Sequence, residues 1–240
     1  NTSAAPEVTQ NDTVKAERDH YFDAGIDQVV LPGLRVGVDG YFKIAQNLID
    51  EGQFGAPIIL SAFNYLHGQV SGVELSASFD RGPMSLYGNL AYSRAIGKDI
   101  VSAQFNFSQS DLDYISGRWI HLDHDQRYTA SAGAAYTLFE GTNYPARLSA
   151  DFLFGSGLRA SYQNAVQTIP NGKALPGYYT FNLSAVQTVR TGIIGPTQLR
   201  LDVINLLDQK YEIRNGTGVG VGAPQFGLRR TVLAGIAQRF

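Results

Sequence analysis

Apolar and polar residues take turns, one by one, along much of this chain. Val73, Leu75, Ala77 and Phe79 are separated by Glu74, Ser76 and Ser78, with Asp80 following. Tyr179, Phe181, Leu183, Ala185 and Val189 interleave with Thr180, Asn182, Ser184, Thr188 and Arg190. Ala146, Leu148, Ala150, Phe152, Phe154 and Leu158 oppose Arg147, Ser149, Asp151 and Arg159, and Leu34, Val36, Val38, Phe42 and Ile44 oppose Arg35, Asp39, Tyr41 and Lys43. A β-strand turns successive side chains to opposite faces, so each stretch predicts a strand with one apolar and one polar face.

Nine such segments are predicted, at roughly 18–30, 34–49, 58–80, 83–96, 125–140, 145–161, 177–191, 196–212 and 227–240. Many exceed the ~5–6 residues of an ordinary strand. Several reach the ~9–11 residues with which a tilted strand crosses a bilayer. The connections are sorted as well. Short ones lie at Leu31-Pro32-Gly33, Arg81-Gly82, Glu140 to Asn143 and Thr191 to Gly195. Long ones lie at about 50–57, 97–124, 162–176 and 213–226. Outer-membrane barrels alternate short periplasmic turns with long external loops in this way.

Alternation alone leaves two readings open. A soluble sandwich or barrel buries its apolar face and wets the polar one. A membrane barrel turns the apolar face to lipid and encloses the polar one. Strand length and loop sorting favour the second, so the expected fold is all-β, an antiparallel transmembrane β-barrel. Asp23, Asp27, Arg35, Asp39, Lys43, Glu74, Arg147, Asp151, Arg159, Arg190, Arg200 and Asp202 then face the interior. Tyr21, Phe22, Tyr41, Phe42, Tyr92, Tyr128, Tyr136, Tyr178, Tyr179 and Phe240 fall near strand ends, where aromatic girdles lie.

Composition adds little to this and removes several alternatives. No apolar run approaches the ~18 residues of a spanning helix. The formal charge of −2 gives no reason to expect a nucleic-acid partner. The lack of cysteine excludes disulfides and thiolate metal sites. Residue 1 is Asn and the single methionine is Met84, so the sequence reads as a processed protein or a piece of a longer one.

Candidate chemistry concentrates in the loop from about 97 to 124. Tyr114, Trp119, His121 and His124 are the expected contacts to a small external ligand, because loops on a rigid scaffold carry binding residues. Packing over the barrel mouth is the other reading of the same residues. His121-Leu122-Asp123-His124-Asp125 offers two imidazoles and two carboxylates, but no third, distant ligand is visible in the sequence, so no metal site and no cofactor are expected. No paired catalytic constellation is visible either, and the expectation is a protein that is not an enzyme. Gly216 to Gly222 lacks the Lys-Ser/Thr of a phosphate loop and reads as a flexible external turn.

Several segments resemble the β-barrel of TonB-dependent outer-membrane receptors. Glu17 to Asp27 (ERDHYFDAGID) resembles the family's Glu-x-x-x-x-Tyr-x-x-Gly strand, and Val70 to Phe79 (VSGVELSASF) its Gly-Val-Glu-Leu strand. Asp202 to Tyr211 (DVINLLDQKY) resembles its Asn-Leu-Phe-Asp-x-x-Tyr segment, with Leu207 in place of the usual aromatic. The matches run in order along essentially all of the chain, which ends in Phe240. The resemblance implies about nine C-terminal strands of a larger barrel, of twenty-two strands in the family, at residues 17–240, without the N-terminal plug. Residues 1–16 would be an external loop or leader. It also implies a bacterial outer-membrane location surrounded by lipid and energy from the TonB complex acting through a plug outside this sequence. Uptake of a scarce solute such as a siderophore, another metal chelate or an oligosaccharide follows. Phe240 and Ile236 would belong to the signal read by the outer-membrane assembly machinery, with Gln238 departing from its alternation. A passive porin-like or structural barrel is the alternative, and it predicts solute leakage without TonB.

Overall fold

The computed structural model describes residues 13–54, 59–190 and 195–238. Its main sheet is antiparallel and ten-stranded. Nine strands follow one another in chain order: β1 (Arg18–Leu31), β2 (Leu34–Phe54), β3 (Ile59–Arg81), β4 (Met84–Ile100), β6 (Tyr128–Leu138), β7 (Ala146–Gly155), β10 (Tyr178–Arg190), β11 (Pro196–Ile204) and β14 (Thr231–Gln238). The tenth, β5 (Trp119–His121), pairs with the outer end of β4. Two small hairpins stand off the sheet, β8 (Arg159–Gln163) with β9 (Thr168–Ala174) and β12 (Glu212–Asn215) with β13 (Pro224–Phe226). The one α-helix among the described residues is α1 (Gln109–Ile115), capped by the Ser108 side chain, which accepts from the N–H of Asp111.

The register explains why alternation was so regular. One row of directly opposed residues runs through all nine strands: Leu31, Leu34, Phe79, Leu86, Ala134, Ala150, Leu183, Val203 and Val232. Opposed residues of an antiparallel sheet share a face, so this face is apolar from edge to edge. The next face carries Asp27, Gly37, Ser76, Asn89 and Ser131 in one row and Ser149, Ser184 and Asp202 in another. Leu153 and Leu233 interrupt it. The apolar row starts beside a short turn at Leu31 and finishes beside a long loop at Val232, so the strands are staggered, as a barrel wall requires.

The apolar face has no protein over it. Val73, Leu75, Phe181 and Leu183 are 46%, 48%, 38% and 42% exposed, so they do not meet in a dry centre. The reading of a soluble sheet with these residues inside is excluded. Phe22 opposes Phe42, and Tyr92 opposes Tyr128 with ring centroids 5.4 Å apart, giving aromatics at the outer end of the apolar face. Tyr21, Tyr41 and Tyr178 are corrections to that girdle. They alternate onto the polar face, where Tyr21 stacks on Tyr41 and Tyr178 on Tyr211.

The buried core lies elsewhere, beyond the outer end of the wall. β2 and β3 run 21 and 23 residues, well past a membrane crossing. Their outer halves carry Leu48, Phe63 and Tyr65, which pack with Ala45, Ala95, Ile100, Ile115, Ile120, Leu122 and Val219. Loop 50–57 is therefore largely strand, with 55–58 outside the described residues. Gly216 to Gly222 is packed, not loose: Val219 and Val221 are buried and Gly220, at φ +74°, lies against the Phe63 ring. A residue with a side chain would meet that ring.

Three predicted strands are shorter than their alternation implies. The segment 145–161 stops at Gly155, because Gly157 at φ +89° turns the chain, and a Cβ there would sit 2.0 Å from the Leu175 carbonyl oxygen. Arg159 consequently leaves the interior face and joins β8. The segment 125–140 begins at Tyr128, and 227–240 begins at Thr231. Ile236 is exposed on the apolar face opposite Leu199, while Phe240 lies outside the described residues. Of the 1–16 segment, residues 1–12 lie outside as well. Lys15 exchanges hydrogen bonds with the Asn64 side chain at the outer end of β3 (2.7 and 3.0 Å).

The segment 196–212 ends at Ile204, where Asn205 takes φ +50°. Its buried side chain donates to the carbonyls of Gln209 (2.9 Å) and Leu228 (2.8 Å) and accepts from Gln209 N–H (3.0 Å), tying the start of the last long loop to its end. Asp208 does the same with a fork to Arg229 and the backbone of Arg230, which holds its carboxyl well below the usual range. Asn205→Ala leaves three backbone groups without their partner and strains a left-handed position. We expect a loss of about 2–3 kcal/mol, measured by urea unfolding of the refolded full-length protein in lipid vesicles.

Candidate functional site

The outer cap collects charged residues from four parts of the chain. Asp125 is 1% exposed. Its Oδ1 accepts from Ala95 N–H at 2.7 Å, and its Oδ2 accepts from Arg159 Nε at 2.9 Å with the second guanidinium nitrogen at 2.8 Å. His121 Nδ1 stands 3.0 Å from the same oxygen, without hydrogen-bond alignment. Burial first and the Arg159 charge second lower the pKa of His121, so its ring is a neutral neighbour of this pair.

A second cluster adjoins the first. His124 Nδ1 lies 3.1 Å from Asp123 Oδ1 and 3.6 Å from Asp50 Oδ1. Arg214 of β12 reaches Asp123 Oδ2 at 3.0 Å. Asp50 is 8% exposed at the outer end of β2, and burial pushes its carboxyl up to about 6. The hydrogen bond to Asp123 raises the pKa of His124. Asn171 of β9 braces the cluster, donating to the His121 carbonyl (2.8 Å) and accepting from Val219 N–H (2.8 Å).

The four expected ligand-contact residues thus part company. Trp119 is 43% exposed at the start of β5 and is the one large aromatic of the four free to meet a solute. Tyr114 packs against the cap core with the Arg118 guanidinium 4.8 Å over its ring. His121 is half-buried beside Asp125, and His124 turns Nδ1 inward while its ring stays 47% exposed. Sequence reading missed Asp50, Arg214 and Asn171, and put Arg159 on the wrong surface. No local pattern marks them, because their partners lie between 34 and 91 residues away in the chain. Beside Trp119's loop is a cleft of about 220 Å³ lined by Gln53, Phe54, Asn106, Phe107, Asp111, Ser161 and Thr217 to Gly222.

The family described as TonB dependent receptor-like, beta-barrel, matches residues 1–206. The chain belongs to the TonB-dependent receptor β-barrel family. It is a portion of an outer-membrane wall, and the apolar face is the lipid face. Three solved structures are similar in fold. The FrpB iron transporter from Neisseria meningitidis (F3-3 variant) shares 16% identity at a TM-score of 0.60, over 94% of this chain and 32% of its own. The copper transporter OprC shares 17% at 0.58, over 95% and 32%. The ferric-catecholate import receptor Fiu from E. coli K12 shares 17% at 0.59, over 97% and 30%. This chain spans about a third of the length of each. No curated protein sequence matches it.

Proposed function

We propose that this wall and cap belong to an importer that captures a scarce metal chelate at the cell surface and moves it inward with energy from TonB. Membership of the receptor family carries the reading. Two features support it. The relatives above carry iron, copper and ferric catecholate, and the cap is a rigid, ion-paired platform rather than a set of loose loops. Trp119 and the cleft beside Phe107 are the exposed surface for first contact. The barrel wall performs no covalent chemistry in this scheme. It encloses the path, while a plug outside this sequence carries the coupling to TonB.

The test is uptake of radiolabelled ferric siderophores by cells that express the full-length protein as their sole receptor. Uptake is expected to require TonB and to fall several-fold in Trp119→Ala at unchanged surface level, since an aromatic contact contributes on the order of 1 kcal/mol. TonB-independent uptake would favour the porin-like alternative, and unchanged affinity in Trp119→Ala would remove this loop from ligand capture.

A further inference from the structure

We infer that Asp50, Asp123 and His124 form a binding site for a first-row divalent cation, of which Zn²⁺ is the representative probe, and that the cation pins the outer cap to the barrel wall. The site is distinct from the uptake surface and does not depend on what the protein imports.

Geometry is the first argument. One ligand atom from each of the three residues lies within 4.8 Å of the others. Ligands about 2.0–2.1 Å from a tetrahedral cation stand about 3.3 Å apart. The two imidazole–carboxylate separations, 3.1 and 3.6 Å, bracket that value. The third pair, between the two carboxylates, is no more than 4.8 Å apart. Two carboxylates and an imidazole suit Zn²⁺ and its neighbours in the first row, whereas Ca²⁺ asks for six to eight oxygens.

The second argument is independent of the cluster's own contacts. Asp50 Oδ2 and the Tyr65 hydroxyl are both buried without a hydrogen-bond partner. Tyr65 is fully buried, and the two carboxylates whose charge it feels are Asp50 and Asp123. A buried hydroxyl without a partner is destabilising, because its hydrogen bonds to water are lost and nothing replaces them. A cation between the carboxylates, with a bound water to complete its shell, supplies the missing partner. Arg214 at Asp123 Oδ2 then serves as an orienting neighbour, holding the Oδ1 lone pairs toward His124.

The consequence is mechanical. Asp50 lies near the outer end of β2, Asp123 and His124 belong to the loop between β5 and β6, and Arg214 comes from the last long loop. A single ion joins the wall to the loop between β5 and β6, and the Arg214–Asp123 ion pair extends that tie to the last long loop. The ion closes a loop of about 70 residues between Asp50 and Asp123, and such closures restrict the unfolded chain most when long.

The experiment uses the full-length protein without a histidine tag, stripped by chelator and titrated with Zn²⁺ by calorimetry and with Co²⁺ by visible absorption. Saturable binding is expected, with Co²⁺ bands of an all-N/O site. Asp50→Asn and His124→Gln are each expected to weaken Zn²⁺ binding by about tenfold or more, while Asp208→Asn leaves it unchanged. Zn²⁺ should also protect His124 from diethyl pyrocarbonate in the unmutated protein, read by mass spectrometry. Absence of saturable binding, equal affinity in the Asp50 and His124 variants, or undiminished His124 modification would each overturn the site. None of these readouts involves transport, so failure of the uptake reading leaves the site standing, and failure of the site leaves uptake untouched.

Discussion

Leu75→Arg is expected to destabilise the folded barrel in lipid by about 2–4 kcal/mol, while Ser76→Arg, one residue on, stays within about 0.5 kcal/mol. Leu75 belongs to the apolar row with Ile26, Val38 and Leu90, and it is 48% exposed with no protein atoms above it. It lies six residues from the short turn after Arg81, close to mid-bilayer for a tilted strand. A guanidinium there must drag water into hydrocarbon or snorkel past the whole leaflet. Ser76 faces the opposite way, between Gly37 and Asn89, with Asp39 and Glu74 nearby on the same wetted surface to receive a cation. The measurement is urea unfolding of the full-length protein refolded into lipid vesicles. A larger loss from Ser76→Arg than from Leu75→Arg would reverse the orientation of the wall and end the membrane reading.

The second large effect belongs to the cap. Arg159→Met is expected to cost about 3–5 kcal/mol of local stability, because it leaves the buried Asp125 carboxylate without its guanidinium. Adding Asp125→Asn should recover a good part of that loss, since Asn keeps an oxygen for the Ala95 N–H and removes the stranded charge. The effect should be confined to the outer end, where β4, β5, β6 and β8 meet. Proteinase cleavage of external loops on intact cells reads it directly. Faster nicking in Arg159→Met, with an unchanged barrel by its resistance to SDS at room temperature, is the expected result. Equal nicking in the single variant and the unmutated protein would remove this pair from the forces holding the cap.

The two halves of the molecule were legible in the sequence to different degrees. In the wall, each strand repeats one rule at period 2. Lipid and water, not other residues, decide which side chain goes where, and a boundary with solvent can be read one residue at a time. Nine strands and the lipid face of Val73, Leu75 and Leu183 follow from that rule, and the structure agrees. The motif residues Asn205 and Asp208 were visible as types and spacing, but not their task of tying one loop end to the other.

The cap obeys no such local rule. Arg159 sits at an alternating polar position and yet turns away to Asp125, because Gly157 reverses the chain just before it. The glycine-rich stretch around Val219 has the composition of a loose turn and is packed beneath Phe63. Asp50 meets His124 only because β2 outruns the membrane and two later loops fold back over its end. The strands, their alternation and the surface they offer to lipid depend on neighbours one or two residues away, so the order of amino acids alone specifies them. Which charges are buried together is specified by the folded molecule, since burying a charge requires a partner, and the partners come from loops far apart in the chain.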